Sequence, residues 1–214
     1  MSTARKSRKT SAKKGTESAA QLLPELDLRQ IIDTVLSLAK STGAEETEVH
    51  VDETAESLTR FANNAIHQNV AERSLNVSIR TVVDSRTARA TTNRIDEDSL
   101  RAAIEASLSL AHSQPKDPRL LKMPGKQRYR KVNRFVEETA ALTPQDRARV
   151  VRRACDLAIH NGQVAAGIFA SGLQQSALGN SRGLFASYRE THAEFSITMQ
   201  ETPAASWAKA NAAS

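Results

Sequence analysis

Five histidines, His50, His67, His112, His160 and His192, are the side chains of this sequence best suited to binding a metal or moving a proton. None stands in an H-E-x-x-H arrangement, so the helix-borne zinc-hydrolase pattern is absent. The densest local grouping is Glu190, His192 and Glu194, which strand alternation places on one face beside Tyr188 and Ser196. Carboxylate and imidazole together can bind a divalent metal or share a proton. Residues two apart on a strand are separated by about 7 Å, however, too stretched to close a tight site alone, so the plainer reading is a solvated strand face with cross-strand ion pairs.

His67 lies in the stretch FANNAIHQN. Its amides and imidazole make Asn63, Asn64, His67, Gln68 and Asn69 candidates for holding a peptide backbone or for an interface. The other reading is that they satisfy strand ends and a neighbouring domain. His160 sits at a helix end, where a cation complements the helix dipole. Cys155 falls at helical spacing from Val151, Ala158 and Ile159, which fits a core thiol better than a nucleophile. Ser171, Ser176 and Ser181 have no G-x-S-x-G context, and GNSRG reads as a hairpin turn without a phosphate-loop lysine.

The elements that must position these groups are legible from periodicity. Leu28, Ile31, Ile32, Val35, Leu38 and Ala39 follow a helical repeat, with Asp27 as N-cap and Gly43 as stop. Alternation then takes over at Val49 and Val51 and continues through LTRFA, IHQNVAE and LNVSIRTVV. Asn63-Asn64, Glu72-Arg73-Ser74 and residues 84–87 are expected as turns. Asp96 caps a helix whose buried stripe is Leu100, Ala103, Ile104, Leu108 and Ala111, ending before Pro115. Thr143-Pro144-Gln145-Asp146 opens another helix, expected to use Val150, Val151, Ala154, Leu157, Ala158 and Ile159. Two long strands joined by residues 179–183 follow. The last stretch, ETPAASWAKANAAS, is expected to add no closing element. The fold class is therefore α+β: antiparallel strands with helices packed on one face, followed by a helix and a long β-hairpin. The expected organisation is a disordered basic tail over 1–22, an α+β domain over 23–114, a mobile basic linker over 115–134, and an incomplete second domain over 135–214. Val164, Ile168, Phe169, Leu173, Leu178, Phe185, Phe195 and Ile197 of that second part are more apolar groups than one helix covers.

Charge and composition limit the function classes. The chain carries a net charge of +6. Residues 1–16 alone hold six basic groups and no acid, and residues 115–134 hold eight against Asp117. Two basic segments on an acidic body do not make the clustered face that duplex binding needs, and Tyr129 alone is too thin a stacking platform for single strands. No uncharged apolar run approaches the roughly 18 residues of a membrane span. The lone Cys155 excludes an internal disulfide and a cysteine-rich zinc site and fits a reducing, cytoplasmic setting.

The order of elements and several sequence words resemble the TldD/PmbA family of bacterial and archaeal metallopeptidase subunits. An F-x-N-x-x-I-H-Q stretch is occupied by Phe61, Asn63, Ile66, His67 and Gln68, and a later hairpin word by Asn180, Ser181, Gly183, Leu184 and Phe185. The resemblance runs roughly over residues 27–207. It implies cytoplasmic subunits that pair as homo- or heterodimers and cut unfolded or modified peptides. It also implies zinc held by an H-E-x-x-x-H helix and a later cysteine in a C-terminal domain, which has no counterpart in these 214 residues. The expectation is thus a chain that contributes assembly surface and peptide-chamber walls, is inactive alone, holds no cofactor, and partners a second family subunit and an unfolded peptide, with no membrane contact. From a different class, a stand-alone module whose basic tail and linker bind nucleic acid or an acidic partner is the alternative.

Overall fold

The computed structural model describes residues 22–23, 25–130 and 132–213. Apart from Leu22, the expected basic tail lies outside the described residues, as does Lys131. The elements run α1 (Glu25–Ala39), β1 (Glu46–Ala62), β2 (Ala65–Val83), β3 (Arg86–Thr92), α2 (Glu97–His112), α3 (Glu137–Ala140), α4 (Pro144–His160), β4 (Val164–Asn180), β5 (Phe185–Glu201) and β6 (Ala204–Ala213). All six strands form one antiparallel sheet in the order β3-β2-β1-β4-β5-β6. Strands of the two sequence segments, 23–114 and 135–214, meet in its centre, where β1 pairs with β4 from Glu48↔Asn180 to Phe61↔Gly167.

Local sequence explains most of these elements. Asn63-Asn64 and Asp84-Ser85 all have positive φ, the two-residue geometry that matches the twist of adjoining strands. Asp96 accepts from the Ser99 amide and caps α2. Thr143 and Asp146 bond reciprocally in a capping box that starts α4, with Pro144 in its first turn. α1 begins at Glu25, so Asp27 lies inside its first turn rather than capping it.

Odd-numbered residues of β1 face the helices. Val49 and Val51 pack with Val77, Ile79 and Ala177 against Leu28, Ile32 and Val35 of α1 and Leu100, Ile104 and Leu108 of α2. Further along the same face, Phe61, Ala165, Phe169 and Phe195 pack against Val151, Cys155 and Ala158 of α4. The α4 stripe is thus Arg147, Val151, Cys155 and Ala158. Val150, Leu157 and Ile159, expected inside, are exposed because the helix is rotated to seat these smaller residues close to the sheet.

Two further expectations change. Glu72-Arg73-Ser74 is not a turn but the middle of β2, which continues without interruption to Val83. The C-terminal stretch does add a strand, β6, paired along β5. The described residues of 115–134 form no helix or strand and bond to the sheet at several points. Asp117 N donates to Ser85 O (2.8 Å), Asn180 Nδ2 to Pro124 O (2.9 Å) and Thr191 N to Arg134 O (3.0 Å). Met123 is buried, its amide bonded to Glu46 Oε2 at 2.9 Å.

Candidate functional site

The five candidates from FANNAIHQN gather at the β1–β2 hairpin tip. Asn64 is wholly engaged in structure: its side chain donates to Gln163 O (2.9 Å) and accepts from Ala165 N (2.7 Å), tying the hairpin to the start of β4. Asn63 is the other turn residue, held at φ 49°. His67 is the extra residue of a β-bulge, because Arg60 pairs with Gln68 while Phe61 pairs with Ile66. Its Nε2 lies 2.8 Å from Ala62 O, and its ring lines a shallow groove of about 300 Å³ with Arg60, Phe61, Ala62, Asn63, Gly167 and Ile168. Gln68 stands opposite Arg60, and Asn69 Oδ1 accepts from Thr59 Oγ1 at 2.6 Å. The tip therefore combines fixed turn residues with exposed β2 residues from Ala65 onward.

Beneath the tip runs a buried polar network. Thr59 Oγ1 also accepts from Arg147 Nε (3.3 Å), whose NH1 reaches Ser171 Oγ (3.2 Å) and Leu142 O (3.4 Å). Arg147 is only 1% exposed, and these partners are uncharged. Burial accordingly pulls its pKa down, against a smaller opposing effect of Asp146. Nearer α1, the buried Glu53 carboxylate accepts from Arg73 Nε (2.7 Å), Gln175 Nε2 (2.6 Å) and Leu23 N (2.9 Å). Each of these three donors meets a carboxylate oxygen, and a buried charge requires such partners.

The opposite face of the sheet carries no helix among the described residues and is polar. Glu48 accepts from both Arg80 and Arg89. His192 Nε2 lies 3.1 Å from Glu56 Oε2, above Gly172, where a β-carbon would collide with both side chains. Glu194 pairs with Lys209, and Glu190 with Arg134 and the Tyr188 hydroxyl. The hydrogen bond to Glu190, followed by burial, raises the Tyr188 pKa. Glu190, His192 and Glu194 thus share a face as expected, but each is drawn to a different partner: Arg134 and Tyr188, Glu56, and Lys209. A third grouping was missed: His50 Nε2 lies 2.7 Å from Ser176 Oγ, and His50 Nδ1 lies 3.0 Å from Asp52 Oδ2. His50 and Asp52 were readable as face-mates on β1; Ser176 reaches them only through the β1–β4 pairing.

Zinc needs three or four converging histidine, cysteine or carboxylate groups. Among the described residues no three such side chains converge in that way, so the donors present do not fit the metal. Cys155 is buried in the α4 core, and burial pushes its thiol pKa up, away from the thiolate. Among the described residues no helix is long and apolar enough to cross a membrane.

Residues 48–111 match the family model for PmbA/TldA metallopeptidase domain 1. Comparison with curated proteins gives no match. Among solved structures, TldE from Thermococcus kodakarensis superposes with a TM-score of 0.75 at 16% identity, over 86% of this chain and 42% of that one. A candidate modulator of a DNA gyrase from Thermotoga maritima gives 0.71 at 17%, over 87% and 43%. Another from Bacteroides thetaiotaomicron gives 0.73 at 16%, over 86% and 44%. At these identities the likeness to the solved structures is one of fold, and the chain spans less than half the length of each.

Proposed function

We propose that this chain, whose residues 48–111 match the first-domain model of the PmbA/TldA metallopeptidase family, is a member of that family and supplies peptide-holding and assembly surface to a metallopeptidase subunit rather than the metal chemistry. The observation that supports this reading best is the outer edge of β2. β3 pairs only with Val77–Val83, so no described strand pairs with the outer edge of β2 over residues 65–76. An extended peptide can add to such an edge through main-chain hydrogen bonds, with affinity that depends little on its side chains. Unfolded or modified peptides are ligands of that kind, and His67, Gln68 and Asn69 lie along the edge that would receive them. In this role the chain works in the cytoplasm beside a second family subunit, as a homo- or heterodimer.

The test is fluorescence anisotropy with an unfolded peptide, its scrambled version, and a version N-methylated at alternate residues. The expected result is similar binding of the first two and loss of the third, with a shallow salt dependence. Equal binding of the N-methylated peptide would overturn strand addition. A steep salt slope and preference for nucleic acid would point to phosphate neutralisation instead. The bound peptide should remain uncut, with or without added zinc.

A further inference from the structure

We propose that Ser176, His50 and Asp52 form a nucleophilic serine site on the open face of the sheet, one that accepts an acyl group from an activated carboxylic ester. The three side chains stand in a chain of fixed roles. An ionised Asp52 carboxylate only accepts, so its 3.0 Å contact places the imidazole proton on His50 Nδ1. Nε2 is then the lone-pair nitrogen, and the Ser176 hydroxyl 2.7 Å away must donate to it. A hydroxyl donating to an imidazole that a carboxylate orients is the arrangement that activates a serine. Backbone register holds it in place: Ser176 on β4 stands directly opposite Asp52 on β1, and His50 lies two residues along the same face.

The surroundings leave the group reachable and uncommitted. The side chains of His50 and Asp52 are 38% and 32% exposed, and no described helix covers this face. Tyr188, opposite Ser176 on β5, gives its hydroxyl to Glu190 and does not compete for Nε2. His192 provides an internal contrast, since it meets a carboxylate, Glu56, but no hydroxyl.

The step balances within these residues and the ester. Ser176 Oγ bonds to the carbonyl carbon while its proton passes to His50 Nε2. The bond from that carbon to the leaving alkoxide or phenolate breaks, and the imidazolium returns its proton to solvent. What the site lacks is an oxyanion hole, because β4 is paired on both sides at Ser176, to β1 and to β5. Attack on an activated ester should therefore outrun attack of water on the resulting serine ester. The acyl group should stay on Ser176, giving one round of acylation rather than turnover.

The experiment treats the full chain with 4-nitrophenyl acetate and locates acetyl groups by peptide mass mapping. Acetylation of Ser176 is expected, abolished by Ser176→Ala and slowed at least tenfold by His50→Gln, the scale of a positioned general base. His192→Ala should leave the rate unchanged. Glutamine retains a hydrogen-bonding group without a basic nitrogen, and Asp52→Asn, which preserves shape, should also slow labelling, so a folding defect in one variant does not decide the matter. Acetyl groups on lysines alone, or Ser176 labelled at one rate in wild type, His50→Gln and Asp52→Asn, would overturn the proposal.

Discussion

The end of the sheet that holds Val49, Val51, Val77 and Ile79 lies under two helices and extends past β2 to β3, whereas the end that holds Phe61, Ala165 and Phe195 lies under α4, stops at β2 on one side and extends past β5 to β6 on the other. At that end no described strand pairs with the outer edge of β2 over residues 65–76 or with the outer edge of β6. Between the ends, the helix face of the sheet turns polar: Glu53 and Gln175, then Ser171, Thr59 and Arg147. The structural division therefore runs across the strands. Each long strand contributes to both ends, so neither core belongs to one stretch of sequence. Stability is concentrated where two helices close the core, and the longest unpaired stretch of β2 edge lies at the other end.

The comparison is tested most strongly by removing core volume from each end. Ile104→Ala should cost about 2–5 kcal/mol, the usual range for a buried isoleucine cut to alanine. Val151→Ala, which deletes fewer carbons from a smaller cluster, should cost roughly 1–2 kcal/mol. Denaturant midpoints would measure both. An equal or larger loss at Val151 would mean that the α4 end is not the weaker one.

Two glycines on β4 probe the same difference with smaller effects. A β-carbon at Gly167 would strike the Ser196 carbonyl oxygen and come within 2.8 Å of Phe61 Cζ, so backbone or a core ring must move. Gly167→Ala should cost about 1–3 kcal/mol, as overpacking generally does. At Gly172 the obstacles are the ends of the Glu56 and His192 side chains, which can swing into solvent. Gly172→Ala should stay within about 0.5 kcal/mol while separating that pair. Thermal unfolding of the two variants, with the His192 ring followed by NMR, would show whether the open face is as independent of the core as its exposure implies.

What was legible in the sequence was local. Capping words such as Thr143 to Asp146, turn pairs such as Asn63-Asn64, and the α2 stripe all state their geometry within a few residues. The β1–β4 pairing joins residues more than a hundred positions apart and leaves no local trace, so the Ser176 contact with His50 could not be read. Glu72-Arg73-Ser74 was mistaken for a turn because that part of β2 is exposed, which erases alternation. Arg73 is polar for a reason the sequence hides: it reaches across to the buried Glu53 on the neighbouring strand β1. Of the candidate residues, Asn64, His67 and Asn69 are bonded within the fold, and His67, Gln68 and Asn69 lie exposed along the edge.

The capping groups give the next effect down. Thr143→Ala removes one half of the α4 capping box and should cost about 1 kcal/mol. The loss should appear first as faster amide exchange through α4, with the α1–α2 end unchanged. Uniform loosening of both ends would mean that the polar seam does not separate them.

The smallest effect is one of pH, and both ends share it. Asp96 at the start of α2 accepts from Arg94 Nε (2.9 Å) and from Ser99 N and Oγ (3.0 Å each). Those bonds, Arg94's foremost, lower its pKa from 3.8 to about 2. Asp146 at the start of α4 is lowered too, chiefly by its hydrogen bonds from Thr143. A carboxylate held ionised by the fold is protonated more readily in the unfolded chain, so acid favours unfolding. The stabilisation is fully present above about pH 4 and, for Asp96, is lost as pH falls toward about 2. Asp96→Asn keeps an oxygen for the Ser99 amide but has nothing to titrate. Denaturant midpoints measured from pH 5 to pH 2 should therefore fall less steeply in Asp96→Asn than in the parent chain, with the remaining slope reporting Asp146 and the other carboxylates. An unchanged slope would show that Asp96 is not held ionised by the α2 cap, and that acid acts elsewhere.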